Sequence, residues 1–213
     1  MTHFAKGWHV PDHMKHAGNH LRRSEIIDMA LAYLPEERRN VVVQAGGHIG
    51  IWPVTLSGHF DMVYCWEPMP ENWDCLISNC GEIENVYLSQ GCLGDRPGLM
   101  KMRYSPKNTG KHCIAKDGTQ DTTVEKLDDF KPLREKPMLD ALFLDVEGYE
   151  LKALMGAHSL IHNFKPLLVI EENGLQARYG IADDAVEKYL ATFGYVIALK
   201  HDEDVVYIQE EWK

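Results

Sequence analysis

The 213-residue chain has no apolar run approaching the ~20 residues that a membrane-crossing helix needs. Its amino end, residues 1–11, lacks the continuous apolar core of a secretory signal. Neither a membrane anchor nor secretion is expected, and a cytoplasmic protein is. Cysteines are few and odd in number, five at positions 65, 75, 80, 92 and 113, with no C-x-x-C pair. That spacing excludes a zinc ribbon and a disulfide framework, leaving reduced thiols as core filler. Basic residues are also scarce: 22 Lys and Arg against 32 Asp and Glu give a formal net charge of -10. Sequence-independent binding to nucleic acid requires Lys and Arg to neutralise phosphates, so it is not expected. Internal repeats, low-complexity tracts and Gly/Ser linkers are absent as well, which points to one cooperative unit with 45% hydrophobic and 25% charged residues.

Against that acidic background, Arg96, Lys101, Arg103, Lys107, Lys111 and Lys116 form a local basic stretch. It reads as a solvated face balancing the remainder, or as a surface for an anionic small-molecule substrate. Residues 1–23 read as an appendage before a domain spanning 24–213. Within the appendage Pro11 and Asp12 open a short predicted helix, and His9, His13, His16 and His20 recur near one helical turn. No acidic or thiolate ligand joins these histidines, so a solvent-facing stripe outweighs a metal site.

A short apolar β-branched run at 41–45 and further runs at 62–66, 86–89, 141–144 and 167–170 predict buried parallel strands. Helices are expected at 24–34 behind a Ser24 N-cap, at 51–57, at 71–79 after Pro70, from Glu150, and at 183–193 with Gly194 ending it. Two last strands, 195–199 and 205–209, flank the polar turn at 201–204. The fold class is therefore α/β, a mostly parallel, doubly wound sheet closing on an antiparallel C-terminal hairpin.

At residues 44–50, Gln-Ala-Gly-Gly-His-Ile-Gly stands where the first strand turns into a helix, a place where glycine lets a ligand approach the backbone. Glu67 follows the second strand about twenty residues later, where α/β nucleotide folds place a carboxylate for ribose hydroxyls. NAD uses the same acid, but its G-x-G-x-x-G fingerprint is not met by Gly46, Gly47 and Gly50. The pattern favours an adenosine without a pyrophosphate.

These motifs resemble the FkbM family of methyltransferases. The likeness runs through the turn at 46–50, Glu67-Pro68, Leu127-Asp128, Asp145-Val146-Glu147-Gly148-Tyr149-Glu150, the Ala-Leu-Met-Gly-Ala segment at 153–157, and Glu171. The opening at residues 7–13 is similar to that of viral members, which would place the protein in a host cytoplasm. The resemblance implies a Rossmann-like class I methyltransferase fold and S-adenosylmethionine as cofactor. Gln44, Gly46, Gly47, His48, Gly50, Glu67, Pro68, Gln90 and Cys92 would then surround that cofactor. Asp145, Glu147 and Glu171 would be the catalytic set, orienting and deprotonating a hydroxyl of a saccharide or other small polar metabolite. Gln44 and His48 stand where the family has aspartate and asparagine, so weaker cofactor binding, or a catalytically silent relative, is the competing expectation. An NAD-linked oxidoreductase is a more distant one. Asp145 and the acids and amide at 171–173 end neighbouring strands, so a divalent metal is an open question, since such acids also accept backbone hydrogen bonds without an ion.

Overall fold

In the computed structural model the described residues are 2–5, 7–12, 14, 24–105 and 108–212. Seven strands form the main sheet: β3 (Val41–Ala45), β4 (Met62–Trp66), β5 (Val86–Ser89), β10 (Ala141–Leu144), β11 (Leu167–Glu171), β12 (Tyr195–His201) and β13 (Asp204–Gln209). Their spatial order is β12-β13-β11-β10-β3-β4-β5. Five consecutive strands, from β11 to the edge strand β5, are parallel, and β13 inserts antiparallel between β11 and β12. This is the parallel sheet with a closing hairpin that the alternating pattern predicts, and the reversal after β3 places a crevice at the carboxyl ends of β3 and β10.

Strand residues alternate between two cores. Val42, Phe143 and Val169 face Ile26, Ile27, Trp52 and Leu56, carried by α1 (Glu25–Leu31) and α2 (Ile51–Ser57). Val43, Leu142, Leu144 and Ile170 face Leu154, Ile161 and Leu190, carried by α5 (Glu150–Gly156), α6 (His158–Phe164) and α7 (Ala185–Ala191). Helices on both faces explain why these strands read as unbroken apolar runs. Two further helices, α3 (Pro70–Cys80) and α4 (Lys131–Glu135), complete the helical set among the described residues.

Some expectations change. The helix predicted over 24–34 ends at Leu31, and Ser24 makes no side-chain cap. Pro11 does not open a helix but ends β2 (Trp8–Pro11), which pairs antiparallel with β1 (Thr2–Ala5). His9 lies on that strand, its backbone N–H and carbonyl both bonded to the Asn79 amide at 2.9 Å. His13, His16 and His20 lie outside the described residues. Val10 is fully buried and Met14 nearly so, joining the core formed with α1 and α2.

Between β5 and β10 the chain builds a second sheet that the sequence pattern does not announce. It contains β6 (Cys92–Leu93), β7 (Gly98–Arg103), β8 (Cys113–Ile114) and β9 (Gln120–Glu125), in the order β6-β9-β7-β8. The basic stretch falls largely here. Lys101 pairs with Asp121 at 3.0 Å and Arg103 with Asp117 at 2.7 Å, on exposed surface. Its inner face carries Met102, Ile114 and Val124 against Met69 and Tyr149.

Candidate active site

A cleft of about 330 Å³ opens at the carboxyl ends of β3, β4, β10 and β11, walled on one side by the second sheet. Its floor is the turn after β3. The Gly46 and Gly47 N–H groups both donate to the Trp66 carbonyl, at 3.0 and 2.8 Å, which ties that turn to the end of β4. His48 follows with φ of +48°, a region where histidine and asparagine are better tolerated than most residues. The asparagine of the family pattern and the histidine here thus answer the same backbone demand.

Glu67 is 4% exposed, yet it lines the cleft. Its Oε2 accepts from His48 N–H at 2.8 Å, and its Oε1 accepts from Met69 N–H at 2.9 Å and from Asn72 Nδ2 at 3.4 Å. Burial pushes its pKa up to about 7, against the lowering effect of those donors. A carboxylate has roughly four acceptor sites, so Oε2 keeps capacity for a further donor from the cleft. Pro68, Cys92, Leu93, Met102 and Ile114 add an apolar lining beside it. Burial raises the Cys92 thiol to about 12, so it is neutral there.

At the far wall, Asp145 follows β10, Glu147 sits in the next turn at φ of +57°, and Glu171 ends β11. One oxygen from each lies within 4.8 Å of the others. Glu147 is pushed up to about 7, first by burial and then by Glu171 beside it, with Arg178 and Lys111 acting in the opposite sense. Glu150 braces this turn: its Oε1 accepts from Val146 N–H at 3.1 Å and Gly148 N–H at 3.0 Å. Asn173 Nδ2 donates to Glu171 Oε2 at 2.7 Å and fixes that carboxylate's rotation.

The structure brings Gly46, His48, Glu67, Pro68, Cys92, Asp145, Glu147 and Glu171 to one cleft. It places Gln44, Gly47, Gly50 and Gln90 outside the lining. Gln44 is fully buried, its Nε2 donating to Gly46 O at 2.8 Å and its Oε1 accepting from Cys65 Sγ at 3.0 Å, so its amide supports the turn from behind. Gly47 and Gly50 pack against Cys65 and Cys80, with room for no side chain. Gln90 is exposed, its carbonyl accepting from Thr123. The Leu127-Asp128 pair serves the fold: both Asp128 oxygens accept from the first-turn N–H groups of α6, on Ser159 and Leu160.

Sequence reasoning missed the strap over the cleft, the segment 108–112 that includes a 3-10 turn, Thr109–Lys111. Thr109 bonds His48 Nε2 through its hydroxyl at 2.7 Å and accepts from Asn72 Nδ2 through its carbonyl at 3.1 Å. His112 accepts from Ser105 N–H at Nδ1, which leaves Nε2 to donate to Glu71 Oε1 at 3.0 Å, and Tyr104 stacks on its ring. Nothing in the local pattern of 104–112 announces this role. His112→Ala removes a central attachment of the strap, so tryptic cleavage after exposed Lys111 is expected to accelerate severalfold at unchanged overall fold. An unchanged digestion rate would show that the strap is held elsewhere.

Comparison with solved structures supports the fold assignment. A methyltransferase FkbM from Methylobacillus flagellatus KT superposes with a TM-score of 0.58 at 19% identity, over 80% of this chain and 44% of that one. The chain thus spans less than half the length of that protein. A putative caffeoyl-CoA O-methyltransferase from Staphylococcus aureus gives a TM-score of 0.52 at 14% identity, over 92% of this chain and 85% of that one. No curated protein matches the sequence. A family profile described as the methyltransferase FkbM domain covers residues 58–197, from the end of α2 into β12. That span holds Glu67, the Asp145-to-Glu150 motif and Glu171, and it is well over half of the 213 residues. The chain belongs to the methyltransferase FkbM domain family.

Proposed function

We propose that the protein is an S-adenosylmethionine-dependent O-methyltransferase acting on a hydroxyl of a saccharide or other small polar metabolite. The observation that carries this reading is one cleft with a buried carboxylate, Glu67, at its β4 end and three carboxylates, Asp145, Glu147 and Glu171, at its β10–β11 end, the glycine turn lying between them. The first end suits a ribose and an adenine, given the acceptor capacity of Glu67 and the apolar lining from Pro68 to Ile114. Bound there, S-adenosylmethionine supplies an electrophilic methyl group. Gly46 brings the backbone against the cleft with no side chain between. Asp145 and Glu147 orient the acceptor hydroxyl, and Glu147 is placed to take its proton. Lys111, from the basic stretch, lines the same cleft and favours an anionic acceptor such as a phosphorylated sugar.

The reading is tested by calorimetric binding of S-adenosylhomocysteine followed by turnover across a panel of hydroxyl acceptors. Binding with no turnover on any of them would assign the silent-relative reading instead, and absence of binding would remove the enzyme assignment.

Binding should also depend on pH. Burial raises Glu67 from 4.5 to about 7, so the folded protein holds this proton more tightly than the unfolded chain. The contribution of Glu67 to stability therefore falls as pH rises from about 4.5 to about 7 and is level above that. Ribose hydroxyls donate to the ionised form, so affinity should drop by roughly tenfold between pH 8 and pH 6. The Glu71 carboxylate acts on the same carboxyl in the raising sense, and the Cys65 and Cys92 thiols stay protonated. Glu67→Gln separates these contributions: an equally steep profile in that variant would assign the titration to another group.

A further inference from the structure

The three acids of the cleft pose an electrostatic problem that the proposed acceptor chemistry does not resolve. Asp145, Glu147 and Glu171 each place an oxygen within 4.8 Å of the other two. Like charges at that separation repel strongly where water is excluded. Moreover, Glu147 is only 8% exposed, and its Oε2 is buried without a hydrogen-bond partner among the described residues. An unpaired buried carboxylate oxygen is costly and is retained where something else completes its coordination.

We propose that Asp145, Glu147 and Glu171 bind one divalent cation in the cleft, of the hard, oxygen-seeking class of magnesium, manganese or calcium. The donor set selects that class, because all three donors are carboxylates and the group includes no thiolate or imidazole. The spacing is compatible. Metal–oxygen bonds of about 2.0 to 2.6 Å put two ligands of one ion at most roughly 4 to 5 Å apart, and the observed limit is 4.8 Å. The acids are also held on rigid supports. Asp145 and Glu171 stand at the ends of paired strands β10 and β11, and Glu150 pins the backbone on both sides of Glu147. Three protein ligands leave coordination positions facing the cleft, where acceptor oxygens complete the shell and a bound hydroxyl becomes a better acid. An anionic acceptor and an acidic pocket are thereby reconciled. This last step rests on the methyltransferase reading; the binding of the cation itself does not.

The test is a titration of chelator-stripped protein with Mn²⁺ followed by electron paramagnetic resonance, with thermal unfolding and S-adenosylhomocysteine affinity measured on the same samples. Wild type is expected to bind one Mn²⁺ more tightly than about 1 mM and to melt higher with it. Glu147→Gln should lose more than about tenfold in Mn²⁺ affinity and lose the metal-dependent rise in melting temperature. In chelator it should melt at or above wild type, because one of three crowded charges is gone. Retained S-adenosylhomocysteine affinity in that variant separates the metal site from the cofactor site. Asp145→Asn serves the same comparison if Glu147→Gln does not fold. Absence of Mn²⁺ binding to wild type at millimolar concentration overturns the proposal. So does a variant that keeps Mn²⁺ but loses S-adenosylhomocysteine, an outcome that would assign the acids to the cationic amino-acid part of the cofactor.

Discussion

Replacing Glu67 with alanine is expected to weaken S-adenosylhomocysteine binding by roughly 10- to 150-fold, the equivalent of about 1.5 to 3 kcal/mol for hydrogen bonds to a charged group. The effect has two sources. The carboxylate lines the cleft where ribose hydroxyls would donate to it, and it also accepts from the backbone of His48 and Met69. Removing it therefore takes away a ligand contact and loosens the turn that shapes the floor. Glu67→Gln distinguishes the two, since an amide oxygen can hold one backbone donor but carries no charge. A larger loss in alanine than in glutamine assigns the difference to turn geometry. If alanine leaves affinity at the wild-type value with the fold intact, the cofactor does not lie against this acid and the proposed orientation fails.

How much of the fold and the cleft is legible in the sequence depends on the range of the interaction. Strands β3, β4, β10 and β11 are readable because a strand covered on both faces must be apolar throughout, and each ends at a polar or glycine residue that marks the cleft. Glu67, Asp145, Glu147 and Glu171 are readable for the same reason, as they stand at or just beyond those ends. The second sheet is not. Two of its strands are only two residues long, and exposed β7 alternates no apolar pattern with its lysine and arginine. Asn72 and Thr109 are invisible because their roles depend on partners 37 and 61 residues apart in the chain. Gln44 shows a different limit. Its position at the end of β3 is evident, but whether a strand-end side chain faces the ligand or the sheet interior depends on the pleat, and here it turns back to Cys65. The residue at the position where the family resemblance implies a cofactor contact is, in this chain, a buried neutral amide that holds the turn from outside the cleft lining.

Gly46→Ala is expected to be the most damaging single methyl group that can be added to the cleft, costing about 3 kcal/mol or more of stability. Two costs coincide there. The residue has φ of +87°, where an L side chain loses about 1 to 2 kcal/mol. In addition, its Cβ would stand 1.8 Å from the Asp145 carbonyl oxygen. Both groups are backbone, so neither can rotate away, and relief requires the ends of β3 and β10 to separate. Gly180 provides the control, with φ of +71° but nothing within 4 Å of an added Cβ, so that Gly180→Ala carries only the conformational cost. For a domain of this size, Gly46→Ala should melt roughly 6 to 12 °C lower, with Gly180→Ala much nearer wild type. Separating β3 from β10 would also move Asp145 away from Glu67, so the alanine variant should lose ligand binding at temperatures where it remains folded. Equal melting temperatures for the two variants would mean that β3 and β10 do not approach each other this closely, and the cleft would then be wider than the contact between Gly46 and Asp145 implies.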